Sequence, residues 1–187
     1  ASDHLAKGCA LNIYEYVPGA AAVRKRIDVD ELLGWQPDQY TDGKLHGHMG
    51  IISNRWLWGA THYGVEPNEE WYAAGYRGAW VFHYDLQQNV GVNHGSPLPS
   101  NSLSCFTVDT KRGRLVGTGE QGGFLHWDCH THAVKFAARP PNGWLWWPRA
   151  MLLDEPTGVF WGMDRSEKPH RFLSFAPAAN AFRRYAV

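Results

Sequence analysis

The sequence predicts an all-β fold, a β-propeller, on three observations. These are a repeated pair of hairpins, a composition rich in aromatics and turn residues, and an aromatic–Asp pair that recurs at one place in the repeat. Residues 51–61 (IISNRWLWGAT), 106–119 (FTVDTKRGRLVGTG) and 151–164 (MLLDEPTGVFWGMD) share one plan: an apolar run, a tight polar turn and a second apolar run carrying a glycine. That plan is a β-hairpin. A second hairpin follows each first one, at 79–85 with 90–92, at 123–128 with 133–136, and at 171–177 with 181–185. Four strands in roughly 45 residues is the blade period of a propeller.

The composition agrees with the repeat. The 187 residues include 10 Trp, 8 Tyr and 8 Phe beside 20 Gly and 11 Pro. Flat rings pack on pleated surfaces, while Gly and Pro set turns. Tyr84-Asp85 and Trp127-Asp128 stand 43 residues apart, and Phe175-Ala176 is a weaker equivalent 48 further on. An Asp there can accept backbone N–H groups in the turn that follows, so these aspartates are read as turn-makers.

The blades fall at 44–95, with a long insertion at 63–78, and at 102–138 and 147–187; residues 8–27 match only the outer hairpin of a blade. Residues 28–35 between them read as a short helix, acidic at its start and closed by Gly34. About three and a half blades leave strand edges open. The chain is therefore read as part of a longer seven- or eight-bladed ring, with the remaining blades in a longer chain or in another subunit.

Charge and cysteine content remove several function classes. Eighteen basic residues balance eighteen acidic ones, so no broad basic field points to nucleic acid. No apolar run approaches the ~20 residues that span a bilayer. Residues 1–8 lack a signal-peptide pattern. Cys9, Cys105 and Cys129 are too few and too scattered for a disulfide scaffold.

Successive loops of a blade alternate between its two faces. One face collects 44–48, 61–63 with the insertion, Glu120-Gln121, 144–149 and 164–168, and is rich in His, Tyr, Trp and Arg. In the register of the innermost strands His46 aligns with Ser102 and Trp147, and His48 with Ser104 and Arg149. A structural position should repeat its residue class; these do not, which marks them as site candidates. Either histidine can equally serve a local hydrogen bond. On the opposite face His126, Cys129, His130 and His132 have zinc-like density. Three of them occupy one turn, and His126 shares its blade position with His83, so a structural role is expected there and no metal site is assigned.

Four segments resemble the propeller-type polysaccharide lyases, the ulvan-lyase-like proteins most and oligogalacturonate lyases more distantly. They are 42–47 (DGKLHG), Thr61-His62-Tyr63, 76–85 (YRGAWVFHYD) and the hairpin Asp109…Arg112-Gly113-Arg114-Leu115. The resemblance runs over roughly residues 8–187. It implies cleavage beside a uronic acid by β-elimination: a cation neutralises the carboxylate, a His or Tyr removes the C5 proton, and a Tyr or His assists the leaving oxygen. The matching residues are His46 or His48 with His62, Tyr63 or Tyr76, and Arg77 or Arg149, with Trp144, Trp146 and Trp147 available to stack on sugar faces. The implied partner is a polysaccharide or oligosaccharide, and the implied location extracellular or periplasmic. No cofactor is required, and a structural zinc or calcium ion is compatible with the reading. Two other classes stand beside it. A non-catalytic carbohydrate- or protein-binding propeller needs only the aromatic face. A calcium-dependent hydrolase or lactonase needs Glu, Asn and Asp at the axis, where the inner strands here offer His, Ser and Arg instead.

Overall fold

The computed structural model describes residues 11–35, 42–63 and 69–186. Its architecture is a series of antiparallel sheets in which consecutive strands are neighbours, each sheet packed face to face on the next. First comes the hairpin β1 (Asn12–Val17) and β2 (Ala22–Asp28), then helix α1 (Val29–Leu33). The second sheet holds β3 (Lys44–Leu45), β4 (Gly50–Ile52), β5 (Trp56–His62), β6 (Val81–Asp85) and β7 (Val90–Asn93), with α2 (Glu69–Ala73) inserted after β5. The third runs β8 (Leu103–Asp109), β9 (Arg114–Gly119), β10 (Phe124–Asp128), β11 (Ala133–Ala138). The fourth runs β12 (Leu152–Asp154), β13 (Val159–Asp164), β14 (Arg171–Ala176), β15 (Ala181–Tyr185).

In the third sheet burial falls from the first strand to the last. Every residue of β8 is buried, whereas β11 has none buried. A strand covered on both faces can be uniformly apolar or small, and Leu103–Val108 is; an outermost strand meets water, and Lys135 and Val134 are exposed on it. Between the second and third sheets, Trp58, Ala60 and Val81 pack on Phe106, Val108, Leu115 and Leu125. Between the third and fourth, Val116 and Phe124 pack on Trp146, Phe160, Leu173 and Phe175. Each fully buried Phe in these layers contributes roughly 1.5–3 kcal/mol.

The glycine of β5 in the second sheet and that of β13 in the fourth each make room for a ring. A Cβ on Gly59 would stand 2.6 Å from the Phe82 ring, and one on Gly162 would stand 2.2 Å from the Trp146 indole. The turn aspartates close the hairpins. Asp85 accepts the N–H groups of Gln87 and Gln88 at 2.9 and 3.1 Å, and Asp128 those of His130 and Thr131 at 2.9 and 3.0 Å. Arg55 also binds Asp85 with both Nε and Nη2, and chiefly this guanidinium lowers the carboxyl to about 2.

Helix α1 starts where Asp28 accepts the N–H of Glu31 at 3.1 Å and ends at Gly34, whose φ of 71° suits glycine. It buries Val29 and Leu33 against Leu57 and Phe82, fixing the first hairpin to the second sheet. The insertion expected as a loop is in its described part a packed unit. Helix α2 lies within it, and Trp71 and Tyr76 form a small core with Tyr63; residues 64–68 lie outside the described residues.

Candidate functional site

The innermost strand of the second sheet is split in two. Leu45 pairs with Thr61 and Gly50 with Trp58, so the four residues His46–Met49 face only two, Gly59 and Ala60, on β5. The surplus bulges out of the sheet, as extra residues in one strand must, and bonds to the neighbouring blade. The N–H of His48 donates to the Phe106 carbonyl at 2.7 Å, and the N–H of Val108 donates to the His48 carbonyl at 3.2 Å. Gly47 makes this approach possible, because a Cβ there would lie 2.4 Å from the Phe106 ring. The detour delivers His46 and His48 to the inner rim.

There they line a cleft of about 330 Å³ with Leu45, Ser104, Cys105, Arg149 and Met151. Three adjacent blades thus meet around one opening, and His48, Ser104 and Arg149, which align in the sequence repeat, line it. Arg149 is exposed in the connection before β12, with φ at 71°. His46 is half-buried, and its imidazole is held below the usual histidine value, chiefly by burial and then by the Arg149 and Lys44 charges.

Behind His46 stands His62, at the end of β5 and only 3% exposed. The two rings meet edge to face at 5.1 Å. The Nε2 of His62 is 3.5 Å from the Glu120 Oε1, yet burial outweighs that carboxylate and lowers the imidazole to about 4. The backbone carbonyl of Glu120 accepts from Arg165 at 2.8 Å. Glu120 carries no role in the sequence reading beyond its place on the face; nothing local signals that it reaches a histidine 58 residues away.

The remaining expected residues lie elsewhere. Tyr76 donates its hydroxyl to the buried Asp42 at 2.7 Å, and Thr61 donates to the other oxygen of the same carboxyl. Burial pushes Asp42 up to about 7 and the Tyr76 phenol well above its ordinary range. This phenol is occupied in anchoring the insertion. Tyr63 is buried beside it, its N–H donating to Ser102 Oγ at 2.9 Å. Arg77 lines a different depression with Trp35, Gly75 and Trp80. Trp146 is 1% exposed and donates its indole N–H to the Ala150 carbonyl at 2.8 Å, so it offers no face to a sugar. Trp144 is half-buried under the Arg184 guanidinium, 5.3 Å from its ring. Trp147, 40% exposed, is the open member of the trio. The zinc-like run of the opposite face divides: His126 bonds the Asn180 Oδ1 at 2.8 Å toward the fourth sheet, and His130 lies over Gly113.

Chemically, the rim offers an imidazole held below its usual value beside the Arg149 cation in a cleft open to solvent. Such a set can bind an anionic group and accept a proton next to it.

No protein-family model and no curated protein sequence matches the chain. Among solved structures it is similar to a chain of the nidogen/laminin complex, with a TM-score of 0.54 and 11% identity over 97% of this chain and 59% of that one. It aligns with the tricorn protease at a TM-score of 0.47 and 6% identity, over 94% of this chain and 20% of that one. At such identities the first likeness speaks for the fold alone. Together with four sheets of consecutive antiparallel strands, it makes this chain a β-propeller.

Proposed function

We propose that the inner-rim cleft binds a uronic-acid-containing polysaccharide and cleaves it by β-elimination. The observation that carries this reading is His46 beside Arg149 in one cleft, with its imidazole held below the usual histidine value by burial and then by the Arg149 and Lys44 charges. Arg149 pairs with the uronate carboxylate, which lowers the cost of carbanion character at C5. His46 accepts the C5 proton, the electron pair forms the C4–C5 double bond, and the C4–O bond breaks. The departing oxygen takes its proton from His48, exposed on the same rim. His62 and Glu120 hold the His46 ring and do not touch substrate.

The test is incubation with a panel of uronate polysaccharides while following the ultraviolet absorbance of the unsaturated product. Product that disappears in His46→Ala supports the lyase; binding without product across the panel overturns it. A binding-only propeller is the second reading, and a specific observation favours it. The expected phenol of Tyr76 is tied to Asp42, which leaves the leaving oxygen without a tyrosine acid.

A further inference from the structure

We propose that His83, His94 and His132 bind one divalent zinc ion that ties the second sheet to the third. His83 lies in β6, His94 follows β7, and His132 sits in the turn between β10 and β11 of the next blade. One ring nitrogen from each lies within 4.8 Å of the others. His83 Nδ1 and His94 Nε2 are 2.8 Å apart, and the His94 and His132 ring centroids 4.8 Å. Zn–N bonds of about 2.0–2.1 Å in a tetrahedral site put ligand nitrogens about 3.3 Å apart. A swing of about 1.5 Å by His132, exposed on its turn, therefore brings three nitrogens into range.

The surroundings suit a cation held by neutral ligands. His83 Nδ1 and His94 Nε2 share one hydrogen bond at 2.8 Å, and a metal ion would displace its single proton and take both lone pairs. Indoles wall the cluster: Trp58 stacks on His94 at 5.2 Å and 9°, and Trp56 and Trp127 stand against His83 and His94 at 5.2 Å. A cleft of about 260 Å³ opens on His83 and His132 and leaves room for a water as fourth ligand. All-imidazole donors select zinc-like transition metals over calcium or magnesium. His132 gathers not with its neighbours in the turn but with two histidines of the preceding blade. The bland alternative is a hydrogen-bonded His83–His94 pair stacked among tryptophans.

The experiment is titration of the chelator-stripped protein with Zn²⁺, and with Co²⁺ as a spectroscopic substitute. The expected result is one equivalent bound, visible Co²⁺ bands of a four-coordinate site, and a melting temperature that rises with Zn²⁺. The variant His132→Asn keeps a residue that tolerates the φ of 53° at this turn. It should weaken binding by at least about tenfold, since it removes a direct ligand and even outer partners are worth that much. His94→Gln should do the same with folding verified by circular dichroism, while His130→Ala, in the same turn, should bind as the wild type does. No stoichiometric binding overturns the proposal. So does undiminished binding in folded His132→Asn and His94→Gln, or an equal loss in His130→Ala.

Discussion

The rings of His46 and His62 meet edge to face, with centroids 5.1 Å apart and planes at 82°. One ring faces the rim cleft and the other is buried behind it, so the two histidines have different work. Replacing His46 with Ala removes the proton acceptor, and kcat/KM for β-elimination should fall by about 10²–10⁴-fold. His62→Gln should lower kcat less and leave KM nearly unchanged, because His62 positions a neighbour and touches no sugar. Steady-state rates of unsaturated product formation check both; equal losses in the two variants would make His62 the acceptor.

Arg149 has a signature in pH. Burial and then the Arg149 charge disfavour the His46 imidazolium, so the acid limb of kcat/KM should lie below the ordinary histidine value of 6.5. Arg149→Gln removes a repelling cation, so the proton is held more tightly and the limb should move to higher pH. The same variant should raise KM for a uronate substrate and leave neutral oligosaccharides unaffected. A limb that does not move would separate Arg149 from the acceptor.

Asp42 sets a pH dependence of stability independent of any activity. Its carboxyl titrates near 3.8 when unfolded, and burial raises it to about 7 in the fold, against the opposing bonds from Thr61 and Tyr76. Between those values the native state holds a proton that the unfolded chain has released. Stability from this group is therefore present in full below about 3.8 and is lost as pH rises through about 7, by about 4 kcal/mol in all. Asp42→Asn, which imitates the protonated acid, should flatten the fall in melting temperature between about pH 4 and pH 7. An unchanged slope would mean that Asp42 is not the group responsible.

Much of the blade architecture is legible in the sequence because it is local. Asp85 and Asp128 bond N–H groups two and three residues on, and Gly34 ends a helix begun by Asp28 six residues before it. The repeat likewise aligns His48, Ser104 and Arg149 in sequence, and all three line the rim cleft. What stays hidden depends on the neighbouring blade. The bulge at His46–Met49 exists because Phe106 and Val108 bond to it, Tyr76 is withdrawn by Asp42 34 residues away, and His132 turns toward His83 and His94. Periodicity within a blade carries no information about which faces meet between blades.

Trp146 and Trp147 are adjacent in sequence and opposite in consequence. Trp146 fills the layer between the third and fourth sheets, touching Phe124 at 5.1 Å between centroids and resting on Gly162. Trp146→Ala leaves a cavity and an unpaired Ala150 carbonyl, and should cost about 3–5 kcal/mol, read by denaturant unfolding. Trp147 meets only the edge of His170 among rings of the described residues and is 40% exposed, so Trp147→Ala should cost clearly less than Trp146→Ala, about 1–2 kcal/mol. An exposed indole two residues from Arg149 can stack on a sugar ring. Trp147→Ala should therefore weaken oligosaccharide affinity severalfold in an equilibrium binding assay, in the lyase and in the binding-only propeller alike. Full affinity in a folded Trp147→Ala protein would place the sugar path away from this connection.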